Sequence, residues 1–227
     1  LLKKKAFIEA QMENPNSMLS FCRGRVPDTH LKGQPILDLR KASLSVGFVG
    51  LNEAVKASIG EELHQRNGYE FGKGILEHLQ TLCLKATERH GIKFSLWEQP
   101  AESTASRFAQ LDLQYMPGYA KHYVLGNDEN DAYYTNSSHL RYDLDSVQLG
   151  DLIEMQGEFH PIIQGGVITH IWLGEQSPDP EALWQLTRNI CKRTNTAYFS
   201  YTFDFSYCTA CKYFTKGCVE GDCPECG

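Results

Sequence analysis

The sequence predicts an α/β fold closed by a small zinc ribbon. Three observations predict it. Apolar residues recur at helical spacing in segments that alternate with short, β-rich runs. Glycine and proline punctuate the boundaries between those segments. The last twenty residues carry two cysteine pairs, Cys208-x-x-Cys211 and Cys223-Pro-Glu-Cys226.

The elements follow in order. Residues 44–50 (LSVGFVG) read as a short buried strand. Leu51, Val55, Ile59 and Leu63 then stand four apart, which predicts an amphipathic helix over 51–65. Residues 73–90 carry an apolar stripe of Ile75, Leu76, Leu79, Leu82, Cys83 and Ala86, and Gly91 stops that helix as a C′ glycine. Cys83 lies inside the stripe and reads as core. Residues 92–97 form a strand that Pro100 breaks, and Ser103 or Thr104 caps a helix running to about Leu113. Residues 114–150 look irregular, with Asp128-Glu129-Asn130-Asp131 a solvated acidic loop. Residues 157–163 and 166–173 read as strands of a hairpin turning at Gly165-Gly166. Pro180 opens a helix with Leu183, Leu186, Ile190 and Cys191 on one face, and 196–202 is a further strand.

The division predicted is 1–203 for the main α/β domain and 204–227 for the ribbon. In the ribbon, Cys208, Cys211, Cys223 and Cys226 are the metal ligands. Zinc takes four thiolates in a tetrahedron, and a two-residue gap lets one tight turn present both sulfurs of a pair. Cys218 is spare, and Cys22, Cys83 and Cys191 are scattered, a usage that fits a reducing, cytoplasmic compartment rather than disulfides. A chain of 227 residues with a net charge of -6 is poorly suited to general nucleic-acid or membrane binding. The ribbon itself sets Lys212 and Lys216 against Asp204, Glu220, Asp222 and Glu225, poor footing for phosphate-backbone contacts. No apolar run approaches the ~18–20 residues of a membrane span. The opening at Leu1, without Met, and in Lys3-Lys4-Lys5, is that expected of a piece of a longer protein.

Three segments carry residues able to do chemistry. The strand-to-helix turn Pro100-Ala101-Glu102-Ser103-Thr104 offers a helix N-terminus to an anion, or else Glu102 and Ser103 merely cap that helix. The segment Tyr133 to His139 gathers Asn136, Ser137 and Ser138 among aromatics, as a site lining does. Cys22 belongs to no helical stripe and sits between Phe21 and Arg23-Gly24, which makes it the candidate reactive thiol, against the default of an inert buried one. His160 and His170 read as structural.

Taken in order, FSLWEQPAESTASRFAQLD (94–112), YYTNSSHLRYD (133–143), GEFHPIIQGGVITHIWLGE (157–175) and YFSYTFDFSYCTAC…CPECG (198–227) resemble the C-terminal part of the anaerobic (class III) ribonucleoside-triphosphate reductases. The resemblance implies a glycyl radical enzyme. Its fold would be the C-terminal part of a ten-stranded α/β barrel, with a finger loop carrying Cys22, followed by the ribbon. Its activity would be the anaerobic reduction of ribonucleoside triphosphates to 2′-deoxyribonucleoside triphosphates. In the family a glycyl radical abstracts hydrogen from the finger-loop cysteine. The thiyl radical takes the ribose 3′-hydrogen, and the 2′-hydroxyl leaves as water.

The same resemblance implies that Glu102, Ser103, Thr104, Asn136, Ser137 and Ser138 contact substrate and that zinc is structural. It places the radical glycine outside this chain, installed by an S-adenosylmethionine/iron–sulfur activase. The partners implied are that activase, a ribonucleoside triphosphate and a second copy in a homodimer, with formate or a thiol system as reductant. Where the family often shows Asn-Leu-Pro-Arg-Ile, this chain has Gly50-Leu51-Asn52-Glu53-Ala54, so no substrate-contacting asparagine is carried over there. The alternatives are another glycyl radical enzyme, such as a pyruvate formate-lyase relative, or a catalytically incomplete structural or regulatory zinc-ribbon protein.

Overall fold

Glycines and apolar residues at helical spacing set the longest element of the computed structural model, a 25-residue helix from Arg66 to His90. The structure describes residues 2–23, 36–39, 41–126, 131–141, 146–174, 178–217, 219 and 221–227. The expectations placed on Gly24, Asp128-Glu129-Asn130, Tyr142-Asp143, Glu175, Cys218 and Glu220 lie outside them. The described elements are α1 (Leu2–Glu13), a 3₁₀ turn (Met18–Arg23), β1 (Ser43–Phe48), α2 (Leu51–Ile59), α3 (Arg66–His90) and β2 (Lys93–Glu98). They continue with α4 (Glu102–Tyr115), α5 (Pro117–Ala120), α6 (Leu149–Gly157), β3 (Thr169–Gly174), α7 (Pro180–Arg193), β4 (Phe199–Phe203), β5 (Phe205–Tyr207) and β6 (Phe214–Lys216). No described helix is long and apolar enough to cross a membrane.

Two compact units divide the chain: Leu1–Val46 with Leu79–Ser95, and Gly47–His78 with Leu96–Gly227. The first holds α1, the 3₁₀ turn and the C-terminal half of α3. Cys22 is buried there, and its carbonyl accepts the Leu37 N–H at 3.3 Å. Cys83 is buried as its stripe predicts, and burial pushes its thiol up. Gly91, in the left-handed region, ends α3 with its N–H on the Thr87 carbonyl at 2.9 Å.

The residue ranges of β1 and β2 are divided between the two units, and the second holds the remaining elements. The 51–65 helix expected from apolar spacing stops at Ile59, because Gly60 turns the chain into the left-handed region with φ 75°. Leu63 is still fully buried, but as a loop residue whose N–H bonds the Asn52 side-chain oxygen at 2.9 Å. Asn52 is thus committed to the backbone. α3 starts seven residues earlier than expected, because Gly68 and Gly72 pack where a side chain would clash with the Glu62 carbonyl and with Leu63.

The described strands form three two-stranded sheets, β1-β2, β3-β4 and β5-β6. The hairpin expected over 157–173 is absent, and this expectation is corrected. Residues 149–157 are the helix α6, and the chain then coils through turns in which Phe159, His160, Ile162 and Ile163 donate to carbonyls three or four residues back. Pro161 has no N–H to give a ladder. Gly165 and Gly166 instead bond the end of β2, with Gly165 N on the Leu96 carbonyl and Glu98 N on the Gly166 carbonyl at 2.9 Å.

β3 pairs in parallel with β4, the crossover being α7. Ile153, Ile171 and Ile190 form the core between α6, β3 and α7, and Leu186, Phe199 and Tyr201 pack around it. Asp179 caps α7 by accepting the Ala182 N–H at 3.0 Å, with Pro180 at the first position as expected. Cys191 is a second correction: it is exposed, one position past the buried Ile190.

Candidate functional site

The site grows from where β2 ends. Strand residues two apart share a face, so Glu98 follows Leu96 into the interior and both are buried. A buried carboxylate needs donors. Glu98 finds the Ile168 N–H at 2.9 Å and the Ser138 hydroxyl at 3.0 Å, with His139 Nε2 at 3.3 Å. His139 Nε2 also lies 3.1 Å from the Ile168 carbonyl oxygen. Both its neighbours are acceptors, so this nitrogen carries the proton.

The 135–139 loop is clamped from both sides. On one side the Glu53 carboxylate of α2 accepts the Thr135 N–H and hydroxyl, each at 2.7 Å, and Leu51 N–H donates to the Ser137 carbonyl at 2.9 Å. Burial raises the Glu53 pKa, although Thr135 opposes this. On the other side the Ser137 hydroxyl donates to the Gln99 carbonyl and the Ser138 hydroxyl to Glu98. Ser137 holds φ 45°, a left-handed conformation unusual for serine. Farther along, the Tyr134 hydroxyl donates to Asp112 Oδ2 at 2.8 Å, and burial with that carboxylate raises its pKa.

This clamp brings Asn136 and His139 to a cavity of about 690 Å³, shared with Trp97, Glu102, Gln164 and His170. A second cavity of about 230 Å³ has Glu102, Asn136, His139 and His170 in common with the first, and adds Gln156 and Trp172. A third, of about 280 Å³, lies beyond Thr135 and Thr104 against Glu53, Asp112 and Tyr119.

The structure therefore brings Glu102, Asn136 and Ser137 together and places Thr104 on a neighbouring wall. Ser103 is exposed and lines none of these three cavities. The expected Ser103 or Thr104 cap is corrected: α4 begins at Glu102 from Ala101, and no side chain caps it. Ser103 and Thr104 are already helical, so the first-turn N–H groups lack a side-chain acceptor. Ser137 and Ser138 are fully buried, and their hydroxyls are spent on the loop itself.

Sequence reasoning gave no role to Glu53, Glu98 or Gln156, and reached His139 as the end of the 133–139 site-lining segment. Glu98 had a signal, a carboxylate in phase with Leu96 on an apolar strand face. His160 is structural as read. Its Nδ1 accepts the Ala197 N–H at 3.0 Å, and its Nε2 lies 2.9 Å from the Thr169 hydroxyl. Burial, aided by His139, lowers its pKa to about 4. Burial also lowers that of His170, against Glu102 and Glu98.

Near the C-terminus, β5 and β6 pair antiparallel, Phe205 opposite Lys216 and Tyr207 opposite Phe214. The Cys208, Cys211, Cys223 and Cys226 sulfurs all lie within 4.8 Å of one another. Cys208–Cys226 is 3.8 Å and Cys211–Cys223 is 3.6 Å. A zinc tetrahedron with Zn–S of ~2.3 Å has an S···S edge of ~3.8 Å, so the four sulfurs fit that ion. Backbone N–H groups of Cys211 and Ala210 draw Cys208 down to about 6, while hydrogen bonds from Cys211 and Cys208 push Cys226 up to about 12.

This architecture is that of the anaerobic ribonucleotide reductases. The Thermotoga maritima enzyme with dATP bound in the specificity site superposes with a TM-score of 0.61 at 20% identity, over 86% of this chain and 30% of that one. The same enzyme in complex with dATP and CTP superposes at 0.59 and 20% identity, over 81% and 28%. The model of the family described as anaerobic ribonucleoside-triphosphate reductase matches residues 3–227, and the chain belongs to that family. The anaerobic ribonucleoside-triphosphate reductase of Escherichia coli K12 is 30% identical over 189 residues, 82% of this chain and 23% of the relative. That of Enterobacteria phage T4 is 25% identical over 174 residues, 75% of this chain and 25% of the relative. The chain thus spans about a quarter of the length of the curated relatives it matches.

Proposed function

We propose that the chain supplies a C-terminal part of the catalytic body of an enzyme that reduces ribonucleoside triphosphates to deoxyribonucleoside triphosphates by glycyl and thiyl radical chemistry. The observation that carries this reading is the family match across residues 3–227. The cavity bounded by Glu102, Asn136 and His139 supports it, since a cleft of about 690 Å³ with a few convergent polar groups has the size of a small-molecule site. In this reading the β1-β2 and β3-β4 pairs are arcs of the ten-stranded barrel, and the boundary between barrel and ribbon falls at 203/204. The whole protein acts in the cytoplasm, as a homodimer charged by its activase.

The residues divide the work. Asn136 and Glu102 face the substrate; Thr104 faces the neighbouring cavity, and Ser103, which lines none of the three, is given no contact with it. Ser137 and Ser138 act through the loop, fixing Asn136 between α2 and β2. Cys22, in the first unit, is the residue assigned the hydrogen-atom exchange with the ribose. Its burial keeps a reactive sulfur from solvent. Zinc on Cys208, Cys211, Cys223 and Cys226 would close the ribbon with no open coordination position, which makes it a brace.

The test is turnover by the activated full-length protein carrying Cys22→Ser, beside Cys83→Ser. Loss of deoxynucleotide formation with fold and zinc intact in the first, and activity retained in the second, is the expected result. Deoxynucleotide formation by the Cys22→Ser protein would refute the assignment.

A further inference from the structure

In the second unit the buried side chain of Gln156 ends in an acceptor with no hydrogen-bond partner and lines a cavity. Gln156, in the last turn of α6, is 5% exposed, and its Oε1 makes no hydrogen bond. It lines the cavity of about 230 Å³. On the same wall stands His170, whose buried Nδ1 is likewise without a partner. An unmet buried amide oxygen is costly, and proteins keep such groups where a ligand completes them.

The rest of the lining says what kind of ligand. Trp172 and His170 lie with ring centroids 5.8 Å apart and planes 31° apart, and Tyr133 adds another ring to the lining. Such walls take a flat ring by stacking. Glu102 lines the cavity and neither Lys nor Arg does, so a phosphate is disfavoured there and an uncharged ring is not. The volume falls below the ~300–1,000 Å³ of a site for a whole small molecule, so it takes one ring system of a larger ligand. The adjoining larger cavity shares Glu102, Asn136, His139 and His170 with it, leaving room beside the ring for a sugar.

We infer that the Gln156–Trp172 cavity is the subsite for the base of the nucleotide, with Gln156 Oε1 accepting from a donor on the base edge and Trp172 stacking on its face. This rests on the nucleotide reading above and deepens it: the base is held against β3 and α6, and the sugar lies towards Asn136.

The experiment is equilibrium binding of CTP, cytidine and ribose 5-triphosphate to the full-length protein, followed by tryptophan fluorescence and calorimetry, in wild type, Gln156→Leu and Trp172→Ala. CTP and cytidine are expected to quench fluorescence, and Gln156→Leu to weaken both by about tenfold, the order expected for one lost hydrogen bond. Ribose 5-triphosphate, which has no base, should bind wild type and Gln156→Leu alike. Unliganded Gln156→Leu should melt no lower than wild type, since it removes an unpaired polar atom. That separates a ligand role from a structural one. If CTP binds but both variants keep its affinity within twofold, the base sits elsewhere and the inference falls while the nucleotide reading stands. If neither CTP nor ribose 5-triphosphate binds wild type, the nucleotide reading falls and takes this one with it. If Gln156→Leu melts lower and binds CTP as well as wild type, Gln156 is structural and the inference is overturned.

Discussion

Replacing Glu98 by alanine removes a buried carboxylate on which three groups converge. Ile168 N–H at 2.9 Å, the Ser138 hydroxyl at 3.0 Å and His139 Nε2 at 3.3 Å would lose it together. A hydrogen bond to a charged group contributes roughly 1.5–3 kcal/mol, and a buried donor left alone costs roughly 1–3 kcal/mol. These terms are not additive in one network. Removing one partner of a buried charged cluster costs about 3–5 kcal/mol, and that is the loss expected here. It is a large share of the roughly 5–15 kcal/mol that holds a domain folded. Urea unfolding of Glu98→Ala should show a lower midpoint with an unchanged slope. Hydrogen exchange should rise first at Ile168 and Ser138, because the clamp opens before the core does. Glu98→Gln keeps one carbonyl acceptor and should lose about half as much. A Glu98→Ala midpoint within about 1 kcal/mol of wild type, with Ile168 still protected, would refute the reasoning.

Other outcomes follow from the same geometry. His160 is neutral in the folded protein, with a pKa lowered from 6.5 to about 4 chiefly by burial. The stability this contributes is whole above pH 6.5, drains away as pH falls from 6.5 towards 4, and is gone below; urea midpoints for wild type and His160→Asn across that window should converge in acid. Gly68→Ala drives a methyl into the Glu62 carbonyl oxygen, so a loss of about 1–3 kcal/mol is expected in thermal unfolding. Elemental analysis should find one zinc per chain, lost in Cys208→Ser, and chelation should raise exchange over 205–217 while Ile171 and Ile190 stay protected.

How far the chain could be read without its structure depends on the range of the forces involved. The cysteine pairs marked a candidate metal-ligand set because four thiols at fixed spacing are a local statement, and their sulfurs do converge. The stripe of α3 and the Asp179-Pro180 start of α7 are local too, set by periodicity and capping. The Gly165-Gly166 pair was legible only as a turn. Whether it joined two strands depended on partners more than sixty residues away, Leu96 and Glu98, which no local rule names. The parallel pairing of β3 with β4 was hidden for the same reason. In the candidate site, local chemistry marked Glu102 and Asn136 as polar residues near turns. Tertiary structure alone turned the Ser137 and Ser138 hydroxyls into the loop and left Gln156 facing a cavity. A side chain's type is written in the sequence. Which polar atoms find partners is decided when distant segments dry one another, because burial is what makes an unmet hydrogen bond costly.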